Sequence, residues 1–136
     1  MTPERPRDNL GRPLPRDTDP ALAAPPVPAI AGLSDAEVWQ VALGFLARKM
    51  PFHAHEVFEE RWRSCPADER QAWRAAAQWG AAETHAARGN GSGAARLAAR
   101  ACETLDSAGS IPAGCEAAHL TSACDALSRS AAEDRT

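Results

Sequence analysis

The chain has 136 residues, with 15 Lys and Arg against 18 Asp and Glu, a net charge of -3. That length holds one domain, 31 Ala without a single Tyr argue against a sheet protein, and the acidic balance argues against the clustered positive charge of a nucleic-acid surface. No segment nears the roughly 20 consecutive apolar residues of a bilayer span, and Pro, Arg and Asp recurring through residue 20 interrupt any signal-peptide core. The expected location is the cytoplasm, with neither nucleic acid nor membrane as a partner.

Eight of the eleven prolines lie within residues 1–30. There Arg5, Arg7, Arg12 and Arg16 cancel Glu4, Asp8, Asp17 and Asp19, and no aromatic or periodic apolar face is present. Such a segment buries too little surface to offset its ordering entropy. The composition predicts a disordered, partly polyproline-like tail over residues 1–32, a helical domain over 33–127 and a frayed end over 128–136.

Ser34-Asp35-Ala36-Glu37 has the form of a capping box and opens a first helix running to about Met50, where Pro51 breaks it. A second helix is expected over about His53 to Ser64. Pro66 suits the first turn of a third, which runs to Arg88 and stops at Gly89. Arg88-Gly89-Asn90 reads as a helix stop and turn in preference to an anion site. A fourth helix spans about Gly93 to Leu105, and Pro112 opens a weaker fifth to about Leu127. The predicted fold class is all-α, a bundle of four core helices plus that fifth.

All four Trp and all three Phe fall within residues 39–79, so the core should lie among the first three helices. Cys65, Cys102, Cys115 and Cys124 form no CxxC pair and read as reduced thiols.

On the second helix, His55, Glu59 and Trp62 stand at i, i+4 and i+7, on one stripe beside Phe58. Polar groups on a face that must be buried need partners, because leaving them unpaired costs on the order of several kcal/mol. Gln78 and His85, two turns apart on the third helix, are the expected partners, with Ala81 and Ala82 letting the helices close. Arg88 lies one turn beyond His85, within reach of Glu59. The expected pocket is therefore His55, Glu59, Trp62, Gln78, His85 and Arg88. His53 and His119 read as surface residues, and the Arg and Glu of residues 56–74 as a solvated mixed-charge face.

His55-x-x-x-Glu59-x-x-Trp62 resembles the HxxxExxW signature of the bacterial and archaeal family called domain of unknown function 309. The stretch Gln78-Trp79-Gly80-Ala81-Ala82-Glu83-Thr84-His85-Ala86-Ala87-Arg88-Gly89-Asn90, followed by Gly93-Ala94, resembles that family's second segment. The likeness covers about residues 34–106. It implies a small helical protein and a signature suggested to bind metal. The chain departs from the pattern at Ala75-Ala76-Ala77, where bulkier apolar residues are usual, and at Thr84, where an aromatic is common.

Three readings follow. In the first, His55 and Glu59 form a hydrogen-bonded pair that is structural or binds a small ligand. In the second, His55, Glu59 and His85 hold a divalent metal, and the protein is a metal-dependent hydrolase. A variant of it, half of an HExxH helix, makes Glu56 the base. In the third, an exposed Trp39 or Trp79 anchors a protein partner. The sequence names no substrate, reaction or oligomeric state.

Overall fold

The computed structural model describes residues 5–134, with side chains through residue 130. The fold is all-α: α1 (Asp35–Ala47), α2 (Pro51–Ser64), α3 (Arg70–Ala87), α4 (Gly91–Asp106) and α5 (Ala117–Asp134). Among the described residues there is no strand, only an isolated bridge between Arg7 and Pro13. No described helix is long and apolar enough to cross a membrane.

The capping box forms as read. Ser34 Oγ accepts from the Glu37 N–H at 3.1 Å, and Glu37 Oε1 accepts from the Ser34 N–H at 3.0 Å. Those bonds to the charged carboxylate hold Glu37 below its ordinary range. The α1–α2 turn is made by Lys49 at φ 62°. Pro51 then begins α2 two residues before the predicted start, since its missing N–H and fixed φ suit a first helical position. Ala67–Glu69 forms a 3-10 turn ahead of α3, and Gly89 at φ 84° ends α3. Asn90 caps α4, its Oδ1 accepting from the Gly93 N–H at 3.0 Å.

The fifth helix departs from its predicted bounds. Pro112 opens no helix, because Gly114 is left-handed at φ 86° and lies where a Cβ would stand 2.4 Å from Ala36 Cβ. The chain is held against α1 there and turns into α5 only at Ala117. The end expected to fray over 128–136 instead continues the helix to Asp134, beyond an apolar face anchored by fully buried Leu120 and Cys124. Residues 135–136 lie outside the described chain.

α3 is the central element and packs on α2, α4 and α5, while α1 packs on α2. Phe58 meets Trp73, and His55 meets Ala77, so α2 and α3 run antiparallel. The core is the predicted aromatic one. Trp39, Phe58 and Trp79 pack with ring centroids 5.6–5.8 Å apart, and Trp73 lies 6.2 Å from Phe58. Trp39 and Trp79 are both 2% exposed, so neither is the exposed anchor that the third reading needs.

Ala75, Ala76, Ala77 and Ala82 are buried on α3, and Gly80 brings α2 closest. A Cβ at Gly80 would lie 2.7 Å from His55 Cα, a backbone atom that cannot step aside.

The disordered tail expected over residues 1–32 is not what the described residues 5–32 show; residues 1–4 lie outside them. The segment straps across the helices. Gly11, at φ 79°, sits against the Phe52 ring, and Arg7 lies 5.4 Å from that ring's centroid. Arg88 donates to Leu10 O at 3.0 and 2.5 Å, His53 Nε2 donates to Pro25 O at 2.6 Å, and Ile30 is buried. Backbone carbonyls, which composition does not reveal, accept the hydrogen bonds from Arg88 and His53.

Gly80→Ala should destabilise the protein by about 1–3 kcal/mol, because the overlap with His55 outweighs the gain in helix propensity. Gly44→Ala, where a Cβ meets nothing within 4 Å, should stabilise it by about 0.5–1 kcal/mol. Denaturant unfolding of both variants measures the pair. Deleting residues 1–33 should lower the melting temperature by roughly 5 °C or more, through the loss of buried Ile30 and the strap's hydrogen bonds; an unchanged midpoint in calorimetry would show the strap contributes nothing.

Candidate functional site

The site begins with one residue pair on α2. The approach allowed by Gly80 places His55 Nδ1 2.9 Å from Ala77 O. A carbonyl only accepts, so Nδ1 carries a hydrogen. The other ring nitrogen, Nε2, lies 2.9 Å from Glu59 Oε2. Both His55 and Glu59 are about a quarter exposed, at 23% and 24% of their side-chain surface. A bare Nε2 lone pair facing a carboxylate would be repelled by it. The contact therefore calls for a proton or a metal ion between the two atoms.

Arg63 donates to the second oxygen, Glu59 Oε1, from one turn further along α2. Glu56 completes the cluster. One ligand atom each from His55, Glu56 and Glu59 lie within 4.8 Å of one another. Among the described residues this is the one His/Cys/Asp/Glu group of three placed to hold an ion. The half-HExxH pattern had pointed to Glu56 as a base; the structure places it beside the two expected ligands.

The other expected pocket residues fall elsewhere. Both nitrogens of His55 are occupied by Ala77 and Glu59, so neither Gln78 nor His85 is its partner. His85 Nδ1 bonds Asn90 Nδ2 at 2.9 Å, and His85 lines a separate cavity with Gly93, Arg96, Leu97 and Arg100. Arg88 is committed to Leu10 O on the strap and does not reach Glu59. Trp62 packs against the core with its Nε1 buried, and Gln78 Oε1 is buried next along the chain from the Ala77 carbonyl. Neither atom has a hydrogen-bond partner among the described residues.

His53, expected at the surface, is 2% exposed beneath the strap and lies 5.2 Å from the Phe45 ring centroid. His119 is exposed as read, though its ring stands edge-on to Trp39 and Trp79.

A second polar cluster escaped the reading of Arg61 as solvated. Arg61 bonds Asp35 Oδ1 at 2.9 and 2.6 Å, tying α2 to the start of α1. Glu69 accepts from Trp73 Nε1 at 3.2 Å. Burial, then the hydrogen bond and charge of Asp35, push the Glu69 carboxyl above its ordinary range. The thiols offer no nucleophile. Burial, then Asp35 and Glu69, push Cys115 up to about 12; burial, then the neighbouring Cys102, push Cys124 up to about 12; and burial raises Cys65 and Cys102 as well. An apolar cavity of about 20 Å³ beside Trp39, Trp73 and Leu120 has room for about one water and for no larger ligand.

Glu59→Ala should cost about 1–2 kcal/mol, since it strips the anion from a partly buried imidazole and from Arg63. Glu60→Ala, exposed one position round the helix, should cost under about 0.5 kcal/mol. Equal losses in urea unfolding would contradict this facing of α2.

No curated protein and no solved structure matches the chain. A family model does: Domain of unknown function (DUF309) matches residues 39–97, the span that carries His55, Glu56, Glu59, Trp62, Gln78 and His85. The motif-bearing core of this chain, from α1 into α4, is thus similar to the DUF309 family over less than half of the chain.

Proposed function

We propose that this protein is a small helical binding protein whose α2 site takes a divalent metal ion on His55, Glu56 and Glu59. The observation that carries the reading is the orientation of His55. Its Nδ1–H is held by the Ala77 carbonyl, and its Nε2 is turned toward Glu59. A backbone carbonyl on the far ring nitrogen is the usual outer support of a metal-ligating histidine, because it fixes both tautomer and ring plane.

The donor set fits the proposal. One imidazole and two carboxylates suit Mn²⁺, Fe²⁺ or Zn²⁺ better than a soft thiolate-seeking ion. The 2.9 Å between Nε2 and Oε2 matches the spacing of adjacent ligands each about 2.1 Å from one ion. Partial exposure gives an ion a route in. A metal held there would supply Lewis acidity. His55 and Glu59 would bind it, Ala77 O would orient His55, and Arg63 would steer the second oxygen of Glu59.

The hydrolase reading built on His55, Glu59 and His85 loses its third ligand, since His85 stands with Asn90. The four thiols are unpaired, which supports the reading of a protein from a reducing compartment such as the cytoplasm.

Thermal unfolding of the full chain with Zn²⁺ or Mn²⁺ tests the proposal. At a hundredfold excess over the dissociation constant, an ion that binds only the folded state adds about 2.7 kcal/mol, a rise of several degrees. The rise should disappear in His55→Ala and shrink in Glu59→Gln and Glu56→Gln, yet persist in His85→Ala and His53→Ala. It should fade on acidification, because protons compete with the ion for the ligand groups. No rise, or one retained in His55→Ala, would leave His55 and Glu59 as a hydrogen-bonded pair of structural purpose.

A further inference from the structure

A second cavity, of about 200 Å³, lies where the end of α3 meets the first turns of α4, lined by His85, Gly93, Arg96, Leu97 and Arg100. It shares no residue with the His55 cluster. Arg96 and Arg100 are exposed one turn apart on α4. Like charges at that spacing repel, and among the described residues neither arginine has a carboxylate within ion-pair distance.

The third polar lining residue is also a donor. Asn90 Oδ1 accepts from the Gly93 N–H at 3.0 Å, which fixes the amide orientation. Its Nδ2 hydrogens therefore donate to His85 Nδ1, 2.9 Å away. The proton of a neutral His85 ring consequently resides on Nε2. The polar side chains of the cavity are thus two guanidiniums and an imidazole N–H, with no acceptor opposing them.

We propose that this cavity binds a phosphate group, either as free phosphate or as a small phosphate monoester. Guanidinium forks match the paired oxygens of a phosphate, and charge-assisted bonds of this kind are about twice as strong as neutral ones. The volume sets the ligand size. It falls below the roughly 300–1,000 Å³ of pockets for drug-sized molecules and suits a phosphate with a few further atoms. Leu97 offers those carbon atoms an apolar wall. The attraction is local, because the chain as a whole is acidic at -3.

The experiment is an amide and His-ring NMR titration of the full ¹⁵N-labelled chain with inorganic phosphate and with glycerol phosphate, at ionic strength held constant with chloride. Glycerol serves as the uncharged control. Saturable shifts should centre on His85, Gly93, Arg96 and Leu97. Arg96→Gln and Arg100→Gln should each weaken binding about tenfold, and the double variant should abolish it. Arg74→Gln, which removes the same charge elsewhere on the surface, should leave it unchanged. Tighter binding of glycerol phosphate assigns the site to monoesters, and tighter binding of phosphate assigns it to the free ion. Shifts that chloride reproduces, that never saturate, or that survive in the double variant overturn the proposal. A well-dispersed spectrum of each variant establishes that it is folded.

Discussion

The close approach of α2 and α3 at Gly80 governs the rest of the molecule. With no Cβ at position 80, His55 Cα comes within the distance that any other side chain would forbid. That approach brings Ala77 O to His55 Nδ1 and so fixes the ring. Once Nδ1 is committed, the chemistry of Nε2 and Glu59 follows. The same approach lets Phe58 reach Trp73 and Trp79, so one glycine sets both the aromatic core and the polar site. The run Ala75-Ala76-Ala77, all buried, contributes through its small volume.

Charge in this small protein is arranged in compact groups near helix ends and crossings. Asp35, Arg61 and Glu69 tie the start of α1 to α2 and to the turn before α3. His55, Glu56 and Glu59 gather negative charge around one imidazole. His85, Arg96 and Arg100 gather donors at the α3–α4 corner. The last two groups have opposite electrostatic character, which is why one is assigned a cation and the other an anion.

Local signals in the sequence translated well into structure. Ser34 and Glu37 formed their capping box, Gly89 took its left-handed position, and Asn90 capped α4. The pairing of His55 with Glu59 was also legible, because an i, i+4 spacing fixes two side chains on one stripe. The partners across helices were less so. Periodicity tells which residues share a face of α3, yet not how that face is rotated against α2. Gly80 and Ala77 turned out to meet His55, and His85 faced α4. His53 was misread for a related reason: what buries it is the strap, which contributes a proline carbonyl 28 residues earlier. A backbone oxygen carries no sequence signature, so a segment read as disordered on composition could still be held in place by Arg88 and His53.

The central claim is that His55 is tautomerically fixed by Ala77, with Nε2, the nitrogen facing Glu59, serving as a ligand. Long-range ¹H–¹⁵N NMR of the His55 ring, recorded while Zn²⁺ is added to the full chain, reads both nitrogens at once. The account predicts that Nδ1 keeps its proton throughout, while the Nε2 resonance moves to a saturating value of a metal-bound nitrogen. A ring protonated on Nε2 alone, or an Nε2 resonance unmoved at saturating Zn²⁺, would contradict it.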